Sequence, residues 1–353
     1  MSKGDLNTRS RPMLSCALGL RQPKLDGDMR AFFRDARPWA FILFREACVS
    51  RAQVRELCDD LRDTVGRDAI VWIDQEGGRV ARLKPPEWPV WPAAAAYGKL
   101  FAQSPAFAHE AAWLGHRLIA HELKSMGVDG DFTPVLDVPV EGSDKIVGDR
   151  AFSADPKIVP ALARSALEGL HDGGVAGCIK HMPGHGRATA DSHLALPRVG
   201  ATELDLASDV YPFAQLADAE AAMTAHIVFE AWDPDRPATC SPLVIEEIIR
   251  TRIGFQGLLM SDDLDMHALQ YALNGGLKER AETALAAGCD VVLQCSGVLK
   301  EMRLAASGCR ALDGLALVRA RAVEGFAKRP AREFDAEAGW ARFKQLLADL
   351  ASA

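Results

Sequence analysis

The sequence predicts an α/β fold, a single (β/α)8 barrel of the TIM type with extra carboxy-terminal helices. Three observations lead there. Eight short β-rich apolar runs recur along the chain, segments of helical period lie between them, and polar residues gather just after the runs.

The first run is Met13–Ala17. Ahead of it the amino terminus is polar (MSKGDLNTRSRP), and the apolar stretch to Leu20 is interrupted by Ser, Cys and Gly without a small-residue cleavage site, so it reads as a strand and not a signal peptide. Runs at Ala40–Leu43 and Ile70–Ile73 follow, and between them Val54, Leu57, Cys58, Leu61 and Val65 keep helical spacing. A long helix is marked by Phe107, Ala111, Leu114, Leu118 and Leu123, with Ser104-Pro105 to cap and open it and Gly127 to close it. The fourth strand is expected at Phe132–Leu136, then Gly177–Ile179 and Ala221–Thr224. Ser241-Pro242 opens a helix ending near Arg252, and Leu258–Met260 and Val291–Leu293 complete the eight. Residues 299–353 read as helices packed on the barrel exterior. No repeat, low-complexity run or linker suggests a boundary, so 1–353 is expected to form one catalytic domain. An open doubly wound sheet would show the same alternation; eight repeats favour closure.

With 353 residues, 48% hydrophobic and 25% charged, the composition suits a large globular core and excludes disorder. The formal net charge of −7 is spread along the chain, which disfavours a nucleic-acid partner. No stretch approaches the roughly 18 consecutive apolar residues of a membrane span. Eight cysteines stand at 16, 48, 58, 178, 240, 289, 295 and 309 with no CxxC pair, and are expected to be mostly buried free thiols. A cytoplasmic protein without a membrane partner is expected. A monomer is expected.

In a barrel of this kind, chemistry sits at the carboxyl ends of the strands. After Ile73 come Asp74-Gln75-Glu76-Gly77-Gly78-Arg79; after Ile179, Lys180 and His181; after Met223, Thr224 and His226; after Met260, Ser261, Asp262 and Asp263. One such cluster could be a helix cap or a turn; four at strand ends point to a convergent site. The densest segment runs from Lys180 to Gly186, with Asp191-Ser192-His193 after it. His181 and His185 have the spacing of a zinc pair if helical, but Pro183, Gly184 and Gly186 argue against a helix, and no metal or other cofactor is expected. Asp191, two residues before His193 in an extended segment, could accept the imidazole's hydrogen bond and form a proton-transfer dyad. An ordinary surface-loop pair would look the same.

Three segments together resemble the bacterial β-N-acetylhexosaminidases of glycoside hydrolase family 3, in order and in spacing. These are Ile73-Asp74-Gln75-Glu76-Gly77-Gly78-Arg79-Val80; Lys180-His181-Met182-Pro183-Gly184-His185-Gly186 with Asp191-Ser192-His193; and Ser261-Asp262-Asp263-Leu264. Lesser matches lie at Phe132 to Val138, Gly148 to Phe152, Pro237 to Thr239 and Ala287 to Asp290, so the resemblance runs from about Ala40 to Leu293. It implies a retaining glycosidase with Asp262 as nucleophile and His193, paired with Asp191 on a mobile loop, as acid/base. It also implies that Asp74, Arg82, Arg150, Lys180 and His181 hold the sugar, and that Gly184 and Gly186 free the loop to swing. The substrate it implies is an N-acetylglucosaminide, in particular a muropeptide carrying 1,6-anhydro-N-acetylmuramic acid, trimmed during peptidoglycan recycling. Asp263 is expected to support or cap instead of attacking. The chain departs from the family pattern at Phe44-Arg45-Glu46-Ala47, where Arg-Asn is usual, at Met182, where Phe is commoner, and at Asp265, where a small residue is frequent. Phosphorolysis on the same scaffold, a metal-dependent hydrolase using the three histidines, and a non-catalytic sugar-binding protein are the competing readings.

Overall fold

The computed structural model describes residues 12–351; the polar segment 1–11, read above as no signal peptide, lies outside them. Eight staves make the central sheet: β1 (Leu14–Leu20), β2 (Pro38–Leu43), β3 (Ile70–Ile73), β4 (Gly130–Asp131), β5 (Ala176–Gly177 continuing past Cys178 as Ile179–Met182), β6 (Ala221–Thr224), β7 (Leu258–Asp263) and β8 (Val291–Gln294). Neighbouring staves pair in parallel. The sheet starts with the first half of β5 beside β4 and ends with its second half beside β6. Since the two halves are one continuous strand, the sheet closes on itself as a (β/α)8 barrel.

Both faces of each stave are covered, which is why the strands read as unbroken apolar runs. In β2, Phe41 and Leu43 point into the layer beneath the helices, while Ala40 and Ile42 join Trp39, Trp72, Phe132, Met223 and Met260 inside the barrel. Trp72 stacks on Phe132 with centroids 4.9 Å apart. This stacking needs a glycine at 130, because a Cβ there would lie 2.4 Å from the indole of Trp72.

The helix Arg51–Val65 buries Val54, Leu57, Cys58, Leu61 and Val65, the residues that marked it, and the Ser50 side chain caps it. Pro105–Ser125 is capped by Ser104 and followed by Gly127 at φ +79°. The segment after Ser241-Pro242 is helical from Val244 to Arg252 but wound with i→i+5 spacing. All eight cysteines are free, and six of them are buried.

Two expectations need correction. The fourth stave lies at Gly130–Asp131, not at Phe132–Leu136. Beyond Asp131 the backbone reaches its neighbours singly, Phe132 N–H to Ile73 O at 2.9 Å and Leu136 N–H to Lys180 O at 2.7 Å, because Pro134 has no N–H to extend a ladder. The carboxy-terminal helices do not all lie on the exterior. Gly314–Ala327 packs Ala320, Val323 and Ala327 against the barrel-interior cluster at its amino end, where Glu324 accepts the indole N–H of Trp39 at 3.1 Å. Ala336–Ala351 does pack outside, pairing Arg342 with Glu110 of Pro105–Ser125. Among the described residues, the helix Gly314–Ala327 therefore plugs the barrel at its amino end.

Candidate active site

At the carboxyl ends of the staves lies a cavity of about 510 Å3, lined by Asp74, Arg82, Arg150, Lys180, His181, His193 and Asp262 among others. Its floor is apolar, from the inward side chains Ile42, Phe132, Met223 and Leu293. Every residue the sequence proposed for the site lines this cavity except Asp191, which reaches it through His193.

The short hairpin Gln75–Gly77 with Val80–Ala81 turns the chain back over β3. Gln75 pins it: its amide donates to Asp131 at 2.8 Å, and its side-chain oxygen accepts the amides of Arg82 and Leu83 at 3.0 and 2.9 Å. Gly77 sits at φ +96° with the carbonyl of Pro92 where a Cβ would be, so the turn admits no side chain. The result brings Arg82 beside Asp74.

Asp74 uses both oxygens, one on Lys180 Nζ at 3.0 Å and one on Arg82 Nη2 at 2.9 Å. Burial opposes its ionisation, but the two cations prevail and hold it well below the ordinary carboxylate range. Glu76, absent from the sequence assignment, is the hub of the cluster. It accepts Nε and Nη2 of Arg150, both at 2.8 Å, and Lys180 Nζ at 2.7 Å. Burial again opposes ionisation, and Arg150 and Lys180 lower its pKa to about 2. Lys180 is held charged by Glu76 and Asp74 despite burial.

His181 is fixed by a second group that sequence reasoning missed. Asp137, fully buried, accepts His181 Nδ1 at 2.7 Å and the backbone amides of His181 and His185 at 3.1 and 2.7 Å. Against its burial, the neighbouring His181 ring and these donors bring its pKa to about 2. Since a carboxylate only accepts, Nδ1 of His181 carries the hydrogen and Nε2 is left for the cavity. His185 donates or accepts at Ser192 Oγ, 3.1 Å away, and burial lowers its pKa to about 4. Among the described residues no three His, Cys, Asp or Glu side chains converge as metal ligands.

Asp262, the penultimate residue of β7, accepts the amide of Asp263 at 2.8 Å. Burial acts to raise its pKa, but His226, His181 and His193 together lower it. Burial lowers the pKa of His226 itself, and the ring donates Nε2–H to the Asp263 carbonyl at 2.9 Å. The Asp263 carboxyl accepts the amides of Asp265 and Cys295 at 3.1 and 3.0 Å. Burial, then Asp265, push its pKa up to about 8, which makes it a poor nucleophile.

His193 stands at the rim with its side chain 60% exposed. It is not in an extended segment. Asp191 to Ala195 form a turn in which one Asp191 oxygen accepts both the amide and Nδ1 of His193, each at 2.8 Å. A Cβ at Gly186 would lie 1.8 Å from the Val138 carbonyl, and one at Gly184 2.9 Å from Asp209 Cβ, so both glycines serve close packing.

Residues 26–320 match the family described as Glycosyl hydrolase family 3 N terminal domain. A beta-hexosaminidase of Bordetella avium is 39% identical over 258 residues, covering 72% of this chain and 73% of that protein. One of Xanthomonas oryzae pv. oryzae is 37% identical over 306 residues, covering 85% and 89%. Among solved structures, NagZ from Neisseria gonorrhoeae in complex with N-trifluoroacetyl-D-glucosamine superposes with a TM-score of 0.82 at 31% identity, covering 97% of this chain and 98% of that one.

Proposed function

Since this chain belongs to glycosyl hydrolase family 3, as a glycoside hydrolase of the β-N-acetylhexosaminidase kind, we propose that it releases terminal non-reducing β-linked N-acetylglucosamine with retention of configuration. The observation that carries this reading is that Asp262 and His193 face one closed-bottomed cavity whose other wall is the Asp74, Lys180 and Arg82 cluster.

In this reading the sugar enters with its hydroxyls toward Asp74, Arg82, Arg150, Lys180 and His181. Lys180 has one N–H left after Asp74 and Glu76, and Arg150 keeps N–H groups that Glu76 does not take, so both can still donate to sugar oxygens. Asp262 attacks the anomeric carbon as His193 gives the proton on Nε2 to the departing oxygen. Water then attacks the glycosyl-enzyme, His193 retrieves a proton, and the Asp262 carboxylate leaves. Asp191 holds the Nδ1 hydrogen throughout and stabilises the charged imidazole. The half-exposed turn carrying the dyad supports a loop that closes once sugar is bound.

A plugged barrel with one mouth suits exo action, because only a chain end fits. We propose the muropeptide carrying 1,6-anhydro-N-acetylmuramic acid as the substrate, a single catalytic barrel over 1–353 working as a monomer, and the cytoplasm as its place. Among the described residues no helix is long and apolar enough to cross a membrane.

Initial rates on an aryl β-N-acetylglucosaminide, for wild type, Asp262→Ala and His193→Ala, with phosphate or chelator added in parallel, test the mechanism. Release of free sugar, abolished in Asp262→Ala and indifferent to chelator, is expected. Sugar phosphate as product would make the protein a phosphorylase, and full activity of Asp262→Ala would remove Asp262 from the mechanism.

A further inference from the structure

Stave β2 ends at Leu43, Phe44 follows it, and the next three residues, Arg45–Ala47, form a 3-10 turn at the mouth of the cavity. Phe44 is buried, with the guanidinium of Arg21 over its ring at 4.4 Å and that of Arg82 at 5.0 Å. The ring thus ties the sugar-holding Arg82 to the mouth. Arg21, Arg45 and Glu46 all line the cavity there. Arg21 pairs with Glu46 at 3.2 Å. Arg79, also at the mouth, is committed to Asp149 at 3.2 Å and to the Lys145 carbonyl at 3.1 Å. Arg45 is exposed, and its guanidinium has no partner among the described residues. The mouth therefore keeps an uncompensated cation, on a chain whose formal net charge is −7.

Resting on the hydrolase reading above, we propose that Arg45 forms a leaving-side subsite for an anionic group, a carboxylate in particular, on the aglycone. The barrel is plugged at its amino end and the sugar cluster fills the depth of the cavity. Whatever is attached to the anomeric oxygen, between Asp262 below and His193 at the rim, has to project through the mouth past Arg45. A guanidinium with five donors and no protein acceptor offers a planar fork that fits a carboxylate. Arg45 touches no reacting atom in this arrangement; it selects among leaving groups.

The test is a ratio. Steady-state kcat/KM is measured on 4-carboxyphenyl and 4-carbamoylphenyl β-N-acetylglucosaminide for wild type, Arg45→Ala, Arg45→Lys and Arg45→Glu. Comparing the carboxylate-to-amide ratio between proteins cancels the difference in leaving-group reactivity. The ratio should fall roughly three- to tenfold in Arg45→Ala, as for a partly exposed charge-assisted contact, mainly through KM. It should fall further in Arg45→Glu and stay nearer wild type in Arg45→Lys. The gap between proteins should shrink in about 0.5 M salt, where screening shortens to a few ångströms. Equal ratios in all four proteins overturn the subsite while leaving the hydrolase standing. Turnover of neither substrate by wild type sinks the hydrolase reading and the subsite with it.

Discussion

One oxygen of Asp191 receives two hydrogen bonds from His193, its backbone amide and its Nδ1, each 2.8 Å long. The pair closes a small turn that sets both the ring's orientation and its tautomer, with Nε2 directed to the cavity. Burial of Asp191 works against its charge, but His193 outweighs it and keeps the carboxyl below its ordinary range.

Asp191→Asn retains an oxygen for the amide but removes the charge that stabilises a protonated imidazole. We expect kcat on a poorly activated leaving group to fall roughly 10²-fold, at the low end of what general acid–base catalysis supplies. The loss should be smaller on an aryl glycoside whose leaving group needs little protonation. A merely structural role for Asp191 would lower both rates alike, so the comparison of the two substrates decides.

Glu76 joins Arg150 and Lys180 in the cavity wall while only 6% exposed. Glu76→Ala leaves two buried cations with one carboxylate, Asp74, between them and Arg82. Removing one partner from a buried charge cluster costs on the order of 3–5 kcal/mol. Denaturant unfolding should show that loss, and KM should rise because Arg150 and Lys180 no longer have a fixed place. A variant as stable as wild type would mean that water or a shift of Asp74 compensates fully.

Much of this was legible in the sequence because the barrel has few ways to satisfy its pattern. Seven apolar runs fell on their staves, since a stave covered on both faces must be apolar throughout. The fourth did not, because Phe132, Val135 and Leu136 look like strand residues while Pro134 breaks the ladder they would form. The helix Gly314–Ala327 read as exterior because periodicity shows that a helix has an apolar face but not what the face covers. At the site, strand-end polarity located Asp74, Lys180, His181 and Asp262. It passed over Glu76 and Asp137, although both lie inside segments already singled out. A count of charges held the signal: Arg82, Arg150 and Lys180 had been given one carboxylate among them, and His181 had no acceptor.

Asp137→Asn probes that missed acceptor directly. The amide can still offer an oxygen to the two backbone N–H groups, but its NH2 would then face Nδ1 of His181 and force the other tautomer. Loss of one charge-assisted hydrogen bond, about 1.5–3 kcal/mol, predicts a roughly tenfold to hundredfold loss in kcat/KM. If His181 only fills space, Asp137→Asn and wild type will share one KM for the sugar.

Asp131 gives a prediction for stability against pH. One oxygen accepts the Gln75 amide at 2.8 Å, the other is buried without a partner, and the residue is fully enclosed. Burial, and the nearby charge of Asp74 after it, push its pKa up to about 8. A carboxyl whose pKa rises on folding keeps a proton that the unfolded chain has released, so each pH unit between about 4 and 8 favours unfolding by about 1.4 kcal/mol. His116 and His185, both lowered to about 4 by burial, act oppositely, but only below the ordinary histidine value of about 6.5. Between pH 6.5 and 8 the carboxyl effect stands free of them, shared with Asp263, whose pKa is also raised to about 8. Asp131→Asn keeps the acceptor for Gln75 and has no proton to hold. Its stability should therefore fall less than that of wild type over this window, by about 1–2 kcal/mol. Chemical unfolding of both proteins at pH 6.5 and pH 8 measures it, and parallel losses would mean that Asp131 is ionised in the folded protein at neutral pH.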